Sequence, residues 1–265
     1  MHSEFEVNEI ELKIGITGKQ GAKCAEHGDY IAVTSKHNEK PSGCPVCADI
    51  ERDKRDAVEA KELSAKIAKD KIERLLGSSL IPTRFQGKTF ANYRAESQKQ
   101  KAALAMCTEY AHNFRDHYDA GRCLLLLGNV GTGKTHLAAA IAEYLITEKS
   151  AAAVYRTVYS LMQYIKGSYD KYAEYTEAKA YENLITPHLL IIDEIGATKT
   201  TEFEQAALFN IINGRYEEQL PTVIISNLMP NELAGSLGER CVDRLREAGG
   251  LCQVFDWKSA RKVTP

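Results

Sequence analysis

The segment from Gly128 to Thr135 reads GNVGTGKT, and it constrains the fold of this 265-residue chain more than any other feature. It matches the pattern G-x-x-x-x-G-K-[S/T], in which the glycines let successive backbone N–H groups turn inward around phosphates. The apolar run CLLLL precedes the segment, and the helical pattern THLAAAIAEYLITEK overlaps its end. A chance glycine turn has no need of this strand–loop–helix context. The sequence therefore predicts a nucleotide-phosphate loop that leads into the N-terminus of a helix.

The loop predicts ATP and Mg²⁺ as ligands. Lys134 is expected to reach the β- and γ-phosphates, and Thr135 is expected to ligate Mg²⁺. The predicted nucleotide-binding residues are Gly128, Asn129, Val130, Gly131, Thr132, Gly133, Lys134, Thr135 and His136.

Two further strands end in polar side chains. HLLIIDEIG ends a buried strand with Asp193, a predicted Mg²⁺ ligand, and Glu194, a carboxylate that could polarise the attacking water. A nucleotide kinase has no need of such a base, so the pair favours hydrolysis. Asn227, after the strand PTVIIS, is expected to orient that water or to sense the γ-phosphate. Ordinary turn chemistry remains the alternative for Ser226 and Asn227.

The rest of the chain indicates an α/β protein with an appendage. After Pro82, short apolar strands alternate with helices, which predicts a parallel sheet covered by helices on both faces. Residues 50–76 contain neither glycine nor proline and are rich in Glu, Lys and Ala, so they predict a connecting or partner-binding helix. The predicted domains are residues 1–49, 50–80 and 81–265.

Three cysteines and a histidine lie close together near the N-terminus. Cys24-x-x-His27 and Cys44-x-x-Cys47 supply four soft ligands at the spacing of a closed, structural Zn²⁺ site. His37 is an alternative to His27, with a less favourable spacing. Disulfides are disfavoured because we expect a reducing, cytosolic compartment.

Composition excludes some classes of protein. The net charge is −2, so contact with nucleic acid would need a local basic patch. No apolar run approaches the length of a membrane span, and the N-terminus lacks the apolar region of a signal peptide. We therefore expect a cytoplasmic protein with no membrane partner.

Several stretches together resemble the AAA+ ATPases, and within them the DnaC-type replicative helicase loaders of bacteria and prophages. They are IPTRFQGKTFANYRAES, GNVGTGKTHLAAAI, LLIIDEIG, ISNL, LGERCVDRLRE and VFDWKSAR, and they extend over about residues 80–261. The resemblance implies a P-loop NTPase fold and an ATP site between neighbouring subunits of an ATP-dependent oligomer. Arg244 matches the arginine finger of that family, and Arg240, one turn earlier, could assist it or be structural. The zinc knuckle departs from the pattern of enterobacterial DnaC and resembles that of many prophage loaders, so the resemblance does not determine how the partner is recognised in detail.

The resemblance also implies partners. They are a hexameric DnaB-type replicative helicase and single-stranded DNA. Residues 158–184 mix tyrosines with lysines, a combination that suits single-stranded DNA, although interleaved acids weaken that interpretation. Phe90 and Tyr93 could lie near the adenine, but packing is the preferred interpretation. The alternatives are an IstB-type transposition helper ATPase, a zinc-bearing adaptor that holds ATP structurally, and a small-molecule kinase.

Overall fold

The computed structural model describes residues 5–247 and 249–259, which divide into two compact units at Lys69/Asp70. The N-terminal unit contains helix α1 (Glu9–Lys13) and an antiparallel hairpin of β1 (Ile16–Cys24) and β2 (Gly28–Ser35). Among residues 5–69, only Ala32 and Cys44 are buried. The apolar core of this unit is therefore very small.

A long helix, α2 (Pro45–Ser78), passes from one unit into the other. It begins five residues before the predicted start at residue 50, because Pro45 is compatible with the first turn of a helix. Its last turns pack Ile72 and Leu75 against the core of the larger unit. The two units consequently meet inside α2, whereas we predicted boundaries at residues 49 and 80.

The larger unit is built on a five-stranded sheet in which every pair of neighbouring strands is parallel. The spatial order is β4-β5-β6-β3-β7. The strands are β3 (Leu124–Gly128), β4 (Ala153–Thr157), β5 (Leu189–Ile195), β6 (Thr222–Ser226) and β7 (Leu251–Phe255). The helices are α3 (Gln98–His112), α4 (Phe114–Asp119), α5 (Lys134–Lys149), α6 (Val158–Gly167), α7 (Glu177–Ile185), α8 (Glu202–Glu217), α9 (Leu233–Leu237) and α10 (Glu239–Glu247), with a 3₁₀ turn at Thr83–Phe85.

Alternate residues of β3 pack into two separate hydrophobic cores, one on each face of the sheet. Leu124 and Leu126 of β3 pack with α3 and α5, whereas Leu125 and Leu127 pack with α6, α8 and α10. This two-sided burial explains why the strands are continuously apolar in sequence. The α/β prediction of a parallel sheet covered on both faces is confirmed.

The strand order determines where the polar strand ends meet. Strand β3 lies between β6 and β7, although the chain runs from β3 to the edge strand β4. Ligands of open α/β sheets bind beyond the carboxyl ends of the strands, where the strand order reverses. Gly128 at the end of β3, Asp193 in β5 and Asn227 after β6 all lie at this edge. In the part of the chain that the structure describes, no helix has the length and apolar character needed to cross a membrane.

Candidate functional site

A cavity of about 420 Å³ opens at the carboxyl ends of the central strands. Most of the predicted nucleotide-site residues line it. They are Val130, Gly131, Thr132, Gly133, Lys134, Thr135, His136, Asp193, Glu194 and Asn227, joined by Arg84, Phe85, Tyr155 and Ile225. Gly128 and Asn129 lie behind the lining, where they form the base of the loop.

The loop conformation requires its glycines. Gly128 has a φ of +117°, and a Cβ there would lie 2.6 Å from the carbonyl oxygen of Phe255. Gly133 has a φ of +98°, and a Cβ there would lie 2.7 Å from the ring of Tyr93. Other residues rarely adopt such φ values, and neither position has room for a side chain. The glycines therefore let the loop pack closely against the end of β7 and the ring of Tyr93.

Lys134 is the first residue of α5 and is buried. Its ammonium group donates to the carbonyl oxygens of Gly128 at 2.7 Å and Asn129 at 2.6 Å. The amino group thus lies within the loop, with a positive charge beside the N-terminus of the helix. Both features favour a bound anion.

The carboxylate of Asp193 is the most heavily hydrogen-bonded group in the cavity. Its Oδ2 accepts from the hydroxyl of Thr135 at 2.8 Å and from the hydroxyl of Tyr155 at 2.6 Å. Its Oδ1 accepts from the backbone N–H of Glu194 at 2.6 Å. Burial and the neighbouring Asp193 charge raise the pKa of Tyr155 well above its ordinary value, so its hydroxyl remains protonated and donates. The carboxylate and the Thr135 hydroxyl are hard oxygen ligands of the kind that Mg²⁺ takes, so these residues fit that ion.

Glu194 and Asn227 present exposed side chains to the cavity. Glu194 has a φ of +66°, a strained value for a residue with a side chain. Strain of this kind concentrates at functional positions. Ser226 is buried instead, and its hydroxyl donates to the carbonyl oxygen of Ile195 at 2.6 Å. Ser226 therefore ties β6 to β5 and leaves Asn227 at the cavity.

Aromatic residues support the loop from outside. The Tyr93 hydroxyl and the Trp257 indole N–H both donate to the carbonyl oxygen of Thr132, at 3.2 and 3.1 Å. Phe90 packs near Tyr144, with ring centroids 6.2 Å apart. Neither Phe90 nor Tyr93 is among the residues that line the cavity. The packing interpretation of these two aromatics is therefore the one that the structure favours.

Arg244 and Arg240 lie away from this cavity. The Arg244 guanidinium lies 4.4 Å from the ring centroid of Tyr216 and pairs with Glu247 at 3.1 Å. Arg244 lines a second cavity, of about 440 Å³, whose other residues include Cys123 before β3 and Thr222 at the start of β6. That position is at the amino ends of the strands, the opposite edge of the sheet. Arg240 is exposed and forms no side-chain hydrogen bond or ion pair with any described residue.

Cys24, His27, Cys44 and Cys47 converge in the N-terminal unit. Their ligand atoms all lie within 4.8 Å of one another. The Cys24 and Cys47 sulfurs are 3.6 Å apart, and His27 Nδ1 lies 3.2 Å from the Cys47 sulfur. Sulfurs bound tetrahedrally to zinc at about 2.3 Å would be about 3.7 Å apart. His37 is not in the cluster, so the structure selects His27.

The thiols of this cluster influence each other's protonation. Backbone N–H groups of Glu26 and His27 lower the pKa of Cys24 to about 6. The hydrogen bond between the Cys47 thiol and Cys24, together with burial, raises the pKa of Cys47 to about 12. One thiolate therefore disfavours the next, and a divalent cation would relieve this repulsion. The donor set and its spacing fit zinc.

The tyrosine- and lysine-rich region forms α6, a loop and α7. Tyr159 and Tyr172 are 71% and 85% exposed. The lysines are partly engaged, since Lys179 pairs with Glu182 at 2.7 Å and Lys166 lies 5.3 Å from the ring centroid of Phe203. The region thus offers exposed aromatic rings and little uncompensated positive charge.

Comparison with known proteins decides the family. The profile of the family described as IstB-like ATP binding protein matches residues 56–244. A replicative helicase loader DnaC from Buchnera aphidicola (subsp. Baizongia pistaciae) is 35% identical over 192 residues, which are 72% of this chain and 76% of the relative. The replicative helicase loader DnaC of Escherichia coli K12 is 32% identical over the same shares. The chain belongs to the DnaC family.

A solved structure agrees with this assignment at the level of the fold. The crystal structure of a DnaC helicase loader superposes with a TM-score of 0.59, with 24% identity, over 66% of this chain and 99% of that one. The resemblance to DnaC-type AAA+ proteins and the ATP-binding fold are confirmed. The IstB-like profile describes the ATP-binding core that this DnaC-family chain contains.

Sequence reasoning missed four residues of the cavity in this DnaC-family protein, one of which is Ile225, an apolar residue of β6. Arg84 and Phe85 enter from the 3₁₀ turn that precedes α3, and Tyr155 enters from β4. The segment IPTRF carried a signal, because it lies within the stretch that resembles the family. No such signal marked Tyr155, because tyrosines are common in β-strands that pack in a core.

Proposed function

We propose that this protein loads a replicative helicase onto single-stranded DNA and that ATP binding and hydrolysis gate the exchange. The observation that carries the proposal is the 32–35% identity to replicative helicase loaders over 72% of the chain. The side chains predicted to bind phosphate, Mg²⁺ and the attacking water share one cavity, which supports the proposal further. In the proposed mechanism the protein acts as a switch, in which ATP binding assembles the protein and hydrolysis releases its partners.

The proposed chemistry follows from positions around the cavity. Lys134 and the loop N–H groups hold the β- and γ-phosphates, while Glu194 accepts a proton from the attacking water, which Asn227 orients. Thr135 and Asp193 hold Mg²⁺, which neutralises charge on the phosphates when bound. The buried Asp193 is a ligand and the exposed Glu194 is the base, because only Glu194 has an unobstructed carboxylate in the cavity.

We infer that Arg244 acts on the nucleotide of a neighbouring copy. It lies at the opposite sheet edge from the cavity of its own chain, so it serves a site in trans. Such an arginine stabilises transition-state charge and makes hydrolysis depend on assembly. Arg240, exposed on the same helix, assists from the same face.

The N-terminal parts are assigned to partner binding. Residues 1–49 form a zinc module on Cys24, His27, Cys44 and Cys47, and residues 50–80 form an arm, both of which bind the helicase. Residues 81–265 bind ATP and single-stranded DNA, the latter through exposed tyrosines of residues 158–184 that suit base stacking.

A pull-down of the helicase from the same cell, using the full chain, tests this proposal. We expect capture by the wild-type chain and loss of capture after zinc chelation or in a Cys47→Ala variant. A Cys252→Ala variant is the control, because Cys252 is an exposed thiol outside the cluster. Failure of the wild-type, zinc-loaded chain to bind the helicase would refute the loader assignment.

The second candidate is a transposition helper ATPase of the IstB type. The match of the IstB-like profile to residues 56–244 favours it. This function predicts binding to a transposase and no effect of the helicase on ATP turnover. The same pull-down with a transposase as the target separates the two candidates.

A further inference from the structure

Tyr155 lies at a place in the fold that gives its hydroxyl a fixed position. Its strand, β4, is at the edge of the sheet, where it pairs with β5 on one side. On the other side, the backbone N–H of Tyr155 donates to the carbonyl oxygen of Ser79 at 2.8 Å. The Tyr155 side chain is only 4% exposed. Main chain and ring are therefore both held before any ligand binds.

The acceptor of the Tyr155 hydroxyl is a carboxylate rather than a neutral carbonyl. A buried tyrosine needs some hydrogen-bond partner, and Tyr110 in the same core finds one in the carbonyl oxygen of Arg122, at 2.8 Å. The Tyr155 hydroxyl instead lies 2.6 Å from Oδ2 of Asp193. A hydrogen bond to an ionised acceptor is shorter and stronger than one between neutral groups. The Tyr155 contact is thus more than the satisfaction of a buried hydroxyl.

Three groups donate to the Asp193 carboxylate, and they are not equivalent. The Thr135 hydroxyl shares Oδ2 with Tyr155, and the Glu194 N–H donates to Oδ1. A Thr135 hydroxyl that ligates the metal would use an oxygen lone pair and could still donate its proton to Oδ2. Tyr155, whose main chain and ring are held by the fold, is the side-chain donor to Oδ2 that is not itself a predicted metal ligand. A phenol does this as a neutral group, so it leaves the negative charge that a cation requires.

The geometry points to Tyr155 as a positioning residue that orients the Asp193 carboxylate for the Mg²⁺ bound with ATP. This inference rests on the proposed ATP–Mg²⁺ site. Residues that orient metal ligands through hydrogen bonds contribute about 10- to 100-fold to metal affinity or activity. Tyr155 therefore determines how much Mg²⁺ the site requires, and it has no part in holding the nucleotide without metal.

A Tyr155→Phe variant tests this role, because it removes one oxygen and keeps the ring. Binding of a fluorescent ATP analogue to the full-length protein is titrated against Mg²⁺ and repeated in EDTA. We expect the half-saturating Mg²⁺ concentration to rise about tenfold, with binding in EDTA unchanged. Tyr110→Phe is the matched control, since it also removes a hydrogen-bonded hydroxyl from the core. It is expected to leave the Mg²⁺ requirement at the wild-type value.

The outcomes separate this inference from the proposed function. A Tyr155→Phe variant with the wild-type Mg²⁺ requirement overturns the positioning role, and so does an equal loss of binding in EDTA. In an Asp193→Asn background, Tyr155→Phe should add nothing, and a further change there also contradicts the inference. If the wild-type protein shows no Mg²⁺-dependent binding at all, the proposed ATP site fails and this inference fails with it.

Discussion

Glu194 combines an exposed carboxylate with a strained backbone, at the residue that follows a fully hydrogen-bonded aspartate. Because Asp193 has both oxygens engaged, the two adjacent carboxylates are in different settings. The first is fixed in place, and the second is open to a water molecule. The strain at Glu194 persists because buried neighbours on both sides, Asp193 and Ile195, hold the strand end.

A Glu194→Gln variant should separate binding from hydrolysis. It keeps the size of the side chain and removes the base, so we expect kcat to fall about 10²- to 10⁴-fold. ATP affinity should remain at the wild-type value, because Lys134 and the loop are unchanged. Steady-state turnover together with equilibrium nucleotide binding measures both. A variant that hydrolyses ATP normally would show that Glu194 is not the base.

Arg244 allows a test by subunit mixing. We expect Arg244→Ala to lower turnover about 10³-fold, because the neighbouring site loses a transition-state cation. Mixed with Glu194→Gln, it should regain activity, since each intact cavity then meets an intact Arg244 from the other variant. Arg246→Ala is the control, an exposed arginine two residues along α10. A mixture no more active than its separate components would contradict action in trans.

Single residues differ in how well sequence reveals them. Asp193 and Asn227 could be predicted because strand ends of a parallel sheet meet at one edge. Tyr155 could not be predicted. Its contact with Asp193 depends on which face of β4 is turned to the cavity and on β5 being the neighbouring strand. The role of Arg244 was predicted only through the resemblance of its segment to the AAA+ family. Its distance from the cavity of its own chain needed the three-dimensional structure.

At the scale of elements, the pairing of β3 with β7 restricts which residue can stand at the start of the phosphate loop. The carbonyl oxygen of Phe255, at the end of β7, would lie 2.6 Å from a Cβ on Gly128, and the Asn129 N–H donates to that oxygen at 2.8 Å. The phosphate loop is therefore anchored to the last strand of the sheet. A sequence pattern predicts the glycine, but not this anchor.

A Gly128→Ala variant should therefore be destabilised. We expect a loss of about 1–3 kcal/mol in the free energy of unfolding, from the positive φ and the contact with β7. Gly235→Ala is the control, because a Cβ there meets nothing within 4 Å and the residue is in a helix. That variant should gain about 0.5–1 kcal/mol. Urea denaturation measures both, and equal stabilities would contradict the anchor.

We expect the N-terminal hairpin to depend on the proposed zinc site, because only Ala32 and Cys44 are buried among residues 5–69. Removal of zinc should unfold β1 and β2 while the sheet of the larger unit persists. Hydrogen exchange of the backbone amides, with and without a chelator, resolves the two units. Persistent protection of the hairpin amides in metal-free protein would contradict a structural zinc.

The element boundaries show where sequence patterns are weakest. The helix α2 was predicted from its composition, but its start at Pro45 brings Cys47 into the first turn. One of the four proposed zinc ligands therefore comes from a helix, and the hairpin supplies two others. The end of α2 depends on Ile72 and Leu75 packing against the larger core, which the sequence does not reveal.

On the scale of the whole molecule, the site and its arginine lie at opposite edges of one sheet. Under the proposed function, we expect a chain built in this way to hold ATP by itself and to hydrolyse it efficiently only beside another copy. The low net charge of −2 gives no general attraction to DNA, so the proposed DNA contact depends on exposed tyrosines and on assembly. Both features would make the proposed activity conditional on a correctly formed complex.

The most direct test of this account is a loading assay with the full-length protein and the replicative helicase of the same cell. The substrate is circular single-stranded DNA coated with single-strand-binding protein, and helicase retained on the DNA is measured. We expect ATP-dependent loading by the wild-type chain and no productive release with Glu194→Gln. If the helicase is neither bound nor loaded under any nucleotide condition, the loader function is wrong and the ATPase serves another partner.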